Sequence, residues 1–534
     1  MSQKKEEGIS LEQEQNVKKS SRKTVWIVAL VAVAIIVVAS ISASALLKKN
    51  PKEEYFSAEL KSAQFMTDVV KDRYSDEFAW AEEVKKKPSE STVELSAEFN
   101  DPSGFDSTGM QSIINSSSIT LKNSLDPEKK EMAMELSANV AEMPIEDIKF
   151  YLTADKMMAS LPFLDKFLQV NESDLGALLY ELDPMTFTGE EEYKFETFFN
   201  QTVLSEEDKK HFQDTYLKMI YDELPEEAFT SKDEKVEVNG EEVKASKITL
   251  KLSEEKLKSI IEKVLTEMEK DEKLKDLIKQ QASLDPVSYS AGDLTQILED
   301  FETGIADVKK ELKDFQIPNG LTSTLWIKDE LVVKRDFSIE MGPSESELAK
   351  LTVTGTQSLT KEKQSFDYEL GFKDDVDEGV VNITGDLSWK DKKADDKITI
   401  AVEDMELSYT GTEELKDGTR EFDRSFAMKD PASMSNFELS WDGSSTYEKD
   451  QMNGEHHFAL VGEGISSDIF QLNVNNDAKI VKSLDIDTDS KEVVDLGAMS
   501  AEEIQTYMME EAMPQFQQWM MGFYGSLNNA NTGF

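Results

Sequence analysis

Among its 534 residues the chain has no cysteine and only three histidines. The missing cysteine removes the lipobox residue of a lipid-anchored lipoprotein, the thiolate nucleophile and every disulfide, so an exported chain of this length must stand on a hydrophobic core. The histidines offer little chemistry. His211 is alone on an expected helix, and His456 and His457 are neighbours in an alternating segment, where successive side chains point to opposite faces and cannot share a metal. G-x-S-x-G, the phosphate loop, H-E-x-x-H and G-x-G-x-x-G are all absent, so no enzyme, cofactor or metal site is expected. Asp485-Ile486-Asp487-Thr488-Asp489 has the oxygen spacing of a calcium loop, but Ser490 stands where the glycine belongs and Leu496 where the closing Glu belongs. Basic residues are scarce too. Lys and Arg number 59 against 107 Asp and Glu, a net charge of −48, which argues against nucleic acid or an anionic lipid surface as partner.

Hydrophobic residues are plentiful, at 39% with 27 Phe and 22 Met, too many for a disordered stalk. The longest apolar run, Val25–Leu47, has no charge and is bounded by Arg22-Lys23 and Lys48-Lys49. A helix of that length covers roughly 30 Å of hydrocarbon. The sequence therefore predicts a short cytoplasmic tail over 1–24, a single transmembrane helix over 25–47, and an extracytoplasmic remainder in the cell envelope. Ala43-Ser44-Ala45 also fits a signal-peptide cleavage site, which exports the same remainder. The tail carries six Lys/Arg against four Glu, a net of +2, so the remainder carries −50.

The remainder divides into a mixed helix and strand half over 48–318, a strand-rich half over 319–495, and an amphipathic helix with a tail over 496–534. Apolar residues at three- and four-residue steps predict a helix over 52–84 whose buried stripe includes Phe56, Leu60, Val70, Tyr74 and Phe78. Alternation then predicts strands at Thr92–Phe99, Ser118–Leu125, Lys130–Val140, Ile145–Thr153 and Lys156–Leu161. Asn239-Gly240 marks a hairpin, and a long helix is expected from Ser253 to about Gln281. From Leu321 to about Asp489 nearly everything alternates, without a fixed repeat. The fold class expected is α+β: one large, curled antiparallel sheet resembling a half-barrel, plugged by helices and preceded by the membrane helix.

The segment Ser500–Leu527 is rich in Met and aromatics, with Ile504, Met508, Ala512, Phe516, Trp519, Met520 and Phe523 on one helical side and a kink expected at Pro514. It reads as an ordinary core helix or as a lid over an apolar cavity. As a lid, its ligand-lining residues are Met508, Phe516, Trp519, Met520 and Phe523.

Ile148–Thr153 with Lys156–Leu164, the passage Val238–Leu257 and the hairpin Leu325–Val332 together resemble the lipoprotein-carrier-like proteins and uncharacterised exported, membrane-anchored proteins of Gram-positive bacteria. The likeness spans about 90–345 as a pattern of elements and carries over no functional residue. It implies a curled sheet that holds lipid. Two functions are thus expected: a membrane-anchored extracytoplasmic binding protein for a lipid or other apolar ligand, or a non-enzymatic envelope scaffold for a protein partner with a self-plugged core.

Overall fold

The computed structural model describes residues 50–100, 109–141, 143–189, 193–199, 205–283, 291–431, 435–462, 464, 466–486, 488 and 491–530. The expected tail 1–24 and apolar helix 25–47 lie outside the described residues.

Alternating apolar and polar residues build one 20-stranded sheet. In chain order its strands are β1 (Ser89–Phe99), β2 (Ser118–Asp126), β3 (Glu131–Val140), β4 (Met143–Thr153), β5 (Lys156–Ser160), β6 (Lys166–Asn171), β7 (Phe229–Val238), β8 (Glu241–Leu252), β9 (Leu321–Lys328), β10 (Leu331–Met341), β11 (Ala349–Leu359), β12 (Lys363–Lys373), β13 (Glu378–Lys390), β14 (Lys393–Val402), β15 (Met405–Lys416), β16 (Thr419–Asp430), β17 (Ser435–Tyr447), β18 (Gln451–Gly462), β19 (Phe470–Ile480) and β20 (Glu492–Asp495). From β7 to β19 each strand pairs antiparallel with the next. β19 then pairs with β1, the meander runs on to β6, and β20 joins β6 in parallel.

Several hairpins turn on two residues that both have positive φ: Asn239-Gly240, Asp329-Glu330, Asp391-Lys392 and Asp417-Gly418. That backbone matches the twist of the flanking strands, which is why Asn, Asp and Gly recur there.

Residues opposed in an antiparallel ladder share a face. One such row runs Tyr368, Ile383, Ile400, Leu407, Met428, Phe437 and Gly462. The next row along the strands runs Asp367, Thr384, Thr399, Ser408, Ala427, Glu438 and Val461 on the opposite face. The sheet is thus apolar on one side and mostly polar on the other.

Helices α1 (Pro51–Arg73) and α2 (Ser75–Val84) lie on the apolar face. Helices α3 (Glu254–Lys270), α4 (Glu272–Ser283) and α5 (Ala291–Glu311) come between β8 and β9, and α6 (Ala501–Tyr507) and α7 (Met513–Ala530) end the chain. The largest core joins Tyr55 and Phe56 of α1 and Leu257 and Ile260 of α3 to Ile248, Leu250, Leu325, Val332, Ile339 and Met341 of β8 to β10.

The structure corrects the expected α+β half-barrel plugged by helices behind a membrane helix. It is a β-dominated sheet of 20 strands, and among the described residues β7 and β20 each pair on one side only. Alternation shows that a segment is an amphipathic strand; it does not say how many such strands share a ladder. The helix expected over 52–84 breaks at Tyr74, and the one expected from Ser253 breaks at Asp271. Asp271 is buried and accepts hydrogen bonds from Tyr216 Oη and His211 Nε2, each at 2.7 Å. Burial alone would raise its pKa, yet these bonds and the Leu274 amide hold it below the usual carboxylate range.

Candidate functional site

Helix α1 lies across the strands. Tyr55 Oη meets Ser323 Oγ of β9 at 2.6 Å, Arg335 of β10 donates to Glu59 at 2.6 Å, and the Val332 amide donates to Ser62 Oγ at 2.9 Å. Further along, Arg73 reaches Asp396 of β14 at 2.7 Å and Glu413 of β15 at 2.5 Å. From Tyr55 to Arg73 a helix rises roughly 27 Å, close to the ~29 Å that six strand spacings cover. Its contacts from Val332 onward fall near one end of the strands. The helix forms a wall along one margin of the apolar face.

The wall is fastened by charge. Glu413, its side chain 1% exposed, accepts from Arg73, from Arg420 Nη1 at 2.8 Å and from Arg424 Nη2 at 3.1 Å. Arg420 also donates to the Arg73 carbonyl at 2.6 Å and to Glu77 of α2 at 2.7 Å. Burial pushes the Glu413 carboxyl up, but the surrounding guanidiniums, Arg73 foremost, hold it below the ordinary range. Every charge in this cluster has a partner on an adjoining element, as a structural clamp requires.

The sequence placed α1 differently. Val70 and Phe78, expected in the buried stripe, are both 44% exposed, while Arg73 is buried. The helix is turned so that Glu59 and Arg73 meet the sheet, because an ion-pair network rather than apolar contact fixes its far half.

Beyond the wall, glycines lie beneath rings. A Cβ on Gly385 would come within 2.1 Å of the Phe366 ring, one on Gly355 within 2.4 Å of the Tyr368 ring, and one on Gly411 within 2.4 Å of the Tyr409 hydroxyl. With no side chain below them, these rings settle close to the sheet.

At the strand ends away from the wall the same face is bare. Leu370 and Phe372 of β12, Leu407 of β15, Phe426 of β16, Phe437 and Leu439 of β17, Leu460 of β18, Phe470 of β19, Ile119 of β2 and Met134 and Leu136 of β3 are between 36% and 46% exposed. The registers put all of them on one face. This strip runs from β12 to β3, roughly 50 Å at the usual strand spacing, and is about 13 Å wide along the strands. Its area, of order 650 Å², exceeds the largest apolar patch of most soluble monomers.

The strip ends at a groove of about 660 Å³ lined by Met143, Pro144, Pro162, Phe163, Gln515, Gln518, Trp519, Gly522 and Phe523. β5 pairs only with Lys149–Leu152 of β4, so among the described residues Met143–Ile148 has no strand beyond it. Trp519 and Phe523 stack at 5.6 Å, Phe516 stacks on Trp519 at 6.2 Å, and Phe163 sits edge-on to Phe516 at 5.1 Å. Of the expected lid residues, Trp519 and Phe523 line the groove and Phe516 backs it. Met520 is half-buried outside the lining, and Met508 is 47% exposed. Tyr507 takes the buried place expected for Met508, and a π turn over Met508–Ala512 resets the helical phase just before Pro514.

Among the described residues no three His, Asp or Glu side chains converge as metal ligands. Asp487, Asp489 and Ser490 of the calcium-like segment lie outside the described residues. His456 and His457 occupy opposite faces, bonded to Trp441 and Asn473 respectively.

No family model matches the sequence, and no curated protein does. The likenesses found are structural and faint. OccK3 (OpdO) of Pseudomonas aeruginosa is 6% identical, with 74% of this chain and 95% of that chain covered and a TM-score of 0.23. OccAB2 of Acinetobacter baumannii is 4% identical, with coverage of 74% and 97% and a TM-score of 0.24. A BenF-like porin from Pseudomonas fluorescens Pf-5 is 6% identical, with coverage of 73% and 97% and a TM-score of 0.23. None of them bears on the lipoprotein-carrier-like resemblance.

Two expectations are corrected here. The apolar face neither encloses one lipid or apolar ligand nor fills itself as a plugged scaffold would; it is an open strip with a helix on one margin. The single-pass localisation with a cytoplasmic N-terminus is corrected as well: among the described residues no helix is long and apolar enough to cross a membrane, and the expected span Val25–Leu47 lies outside them. A length of apolar sequence fixes neither result, because the bare strip is assembled from single residues on many strands.

Proposed function

We propose that this chain is a non-enzymatic transport protein and that elongated amphiphiles travel along the apolar strip with their alkyl chains against the sheet. The carrying observation is the continuity of that strip: from Phe372 to Leu136 apolar side chains, bare on most strands and half-buried on β13, β14 and β1, follow one another across the ladder without a charged residue among them. Exposed apolar area of this extent costs roughly 25 cal/mol per Å² until it is covered, and a narrow ribbon suits a chain more than a globular partner. The wall of α1 and α2 closes one margin. At about 13 Å the strip is half as tall as the ~25 Å apolar band of a membrane-spanning barrel, and the same face carries the Arg73, Asp396 and Glu413 cluster. The solute therefore moves along the sheet rather than through a ring of strands.

The test is transfer of fluorescent phosphatidylcholine between zwitterionic vesicles by the full chain. Phe426→Asp combined with Leu439→Asp should slow transfer by about tenfold or more, since a carboxylate in the strip has to be desolvated under each passing chain. Thr410→Asp, on the exposed polar face, should leave it unchanged. No acceleration by the unaltered chain, or equal rates for the strip and control variants, would refute the reading.

A further inference from the structure

We infer that the groove between β4 and α7 is the terminus of the strip, a site that receives the alkyl chain and polar head of a zwitterionic amphiphile as it enters or leaves the sheet. The inference rests on the transport reading and adds a place and a mode of recognition to it. Three observations converge. Leu136 of β3 pairs with Ile148 of β4, Ala138 with Ile145 and Val140 with Met143, so the apolar face of β3 passes directly into the groove wall.

Next, the ladder stops at this point. β5 spans only Lys156–Ser160, and among the described residues Met143 and Pro144 border the groove with the Pro162–Phe163 loop and α7 instead of pairing with a further strand. Pro144 has no amide to offer a further strand, which keeps this edge from being extended by pairing. At Val140 and Met143 the apolar face therefore meets the groove, while at Met134 and Phe150 it continues into β5.

Finally, the groove has two kinds of lining. Trp519 and Phe523 present stacked rings 5.6 Å apart, a flat apolar surface for an alkyl chain. Gln515 and Gln518 add uncharged amides able to donate and accept hydrogen bonds at the same opening. Neutral amides on a chain of net charge −48 favour a zwitterionic or uncharged head over an anionic one.

The experiment uses the unaltered full chain and a lysophosphatidylcholine whose acyl chain carries a photoactivated diazirine, with labelled residues mapped by mass spectrometry. Label at Phe163, Trp519 or Phe523 as well as along β16 to β18 is the expected result. Label on those strands with none in the groove would overturn the terminus while leaving the transport reading intact. Label in neither would remove both. Trp519→Ala should cut vesicle-to-vesicle transfer by about tenfold while the strands still label, and Trp519→Phe should restore most of it, because stacking needs a ring rather than an indole. Transfer unaffected by Trp519→Ala would also overturn the inference.

Discussion

Arg73 of helix α1 and Glu413 of strand β15 are separated by 340 positions in sequence and joined by a 2.5 Å hydrogen bond from Nε to Oε1. The bond sets where the helix lies on the sheet, and so which margin of the apolar face is walled and which is left bare. Asp396 and Arg420 complete the fastening on either side.

Glu413→Gln should therefore be costly. It removes the one anion shared by Arg73, Arg420 and Arg424, leaving buried guanidiniums short of charge, and breaking such a network costs about 3–5 kcal/mol. Urea unfolding of the full chain should show the midpoint fall by the corresponding amount. A midpoint within error of the unaltered chain would mean that the apolar contacts near Tyr55 hold α1 without help.

The same carboxylate gives the fold an acid limit. Its folded pKa lies below the ordinary Glu value, since Arg73 and its neighbours outweigh the effect of burial. Stability from this group is thus fully present above about pH 4.3 and is lost as pH falls through the folded value. Asp271, depressed by Tyr216 and His211 against its own burial, adds a loss of the same sign. Unfolding midpoints measured from pH 7 down to pH 3 should stay level and then drop, more shallowly in the Glu413→Gln chain. A drop that begins near neutrality would point to other groups.

Lys392 is the second residue of the turn between β13 and β14 and is held at φ 62°. A side chain there costs on the order of 1 kcal/mol, which glycine avoids. Lys392→Gly should raise stability by roughly 0.5 kcal/mol after its greater unfolded-state freedom is counted, with transfer activity unchanged. Thermal unfolding of the two chains checks this.

The strands were the most legible part of the chain. Alternation from Thr92 to Phe99 and from Leu321 onward marks β1 and most strands of the long meander, and Asn239-Gly240 marks the β7–β8 turn. But Lys397–Tyr409 reads as one strand where β14 and β15 meet at the Glu403-Asp404 turn, and Ile480–Ile486 reads as a strand where β19 ends at Ile480. The first half of β7, Phe229–Glu234, was missed because its Thr230-Ser231-Lys232-Asp233-Glu234 run is polar on both faces. At the candidate site, Trp519 and Phe523 were found from helical spacing. Phe163, Pro144 and Gln515 were not, since they come from separate elements and share no spacing.

Sequence by itself determined that most of this chain forms amphipathic antiparallel strands, that its charge is strongly negative, and that no familiar catalytic motif is present. Side-chain period and composition are local properties, and local properties can be read from order alone. Only the tertiary structure decided that the strands join one sheet, that α1 turns Arg73 rather than Val70 toward it, and that eleven scattered apolar residues line up as a bare strip on one face. Those outcomes depend on which ladder meets which and on ion pairs between residues hundreds of positions apart, and neither leaves a period in the sequence.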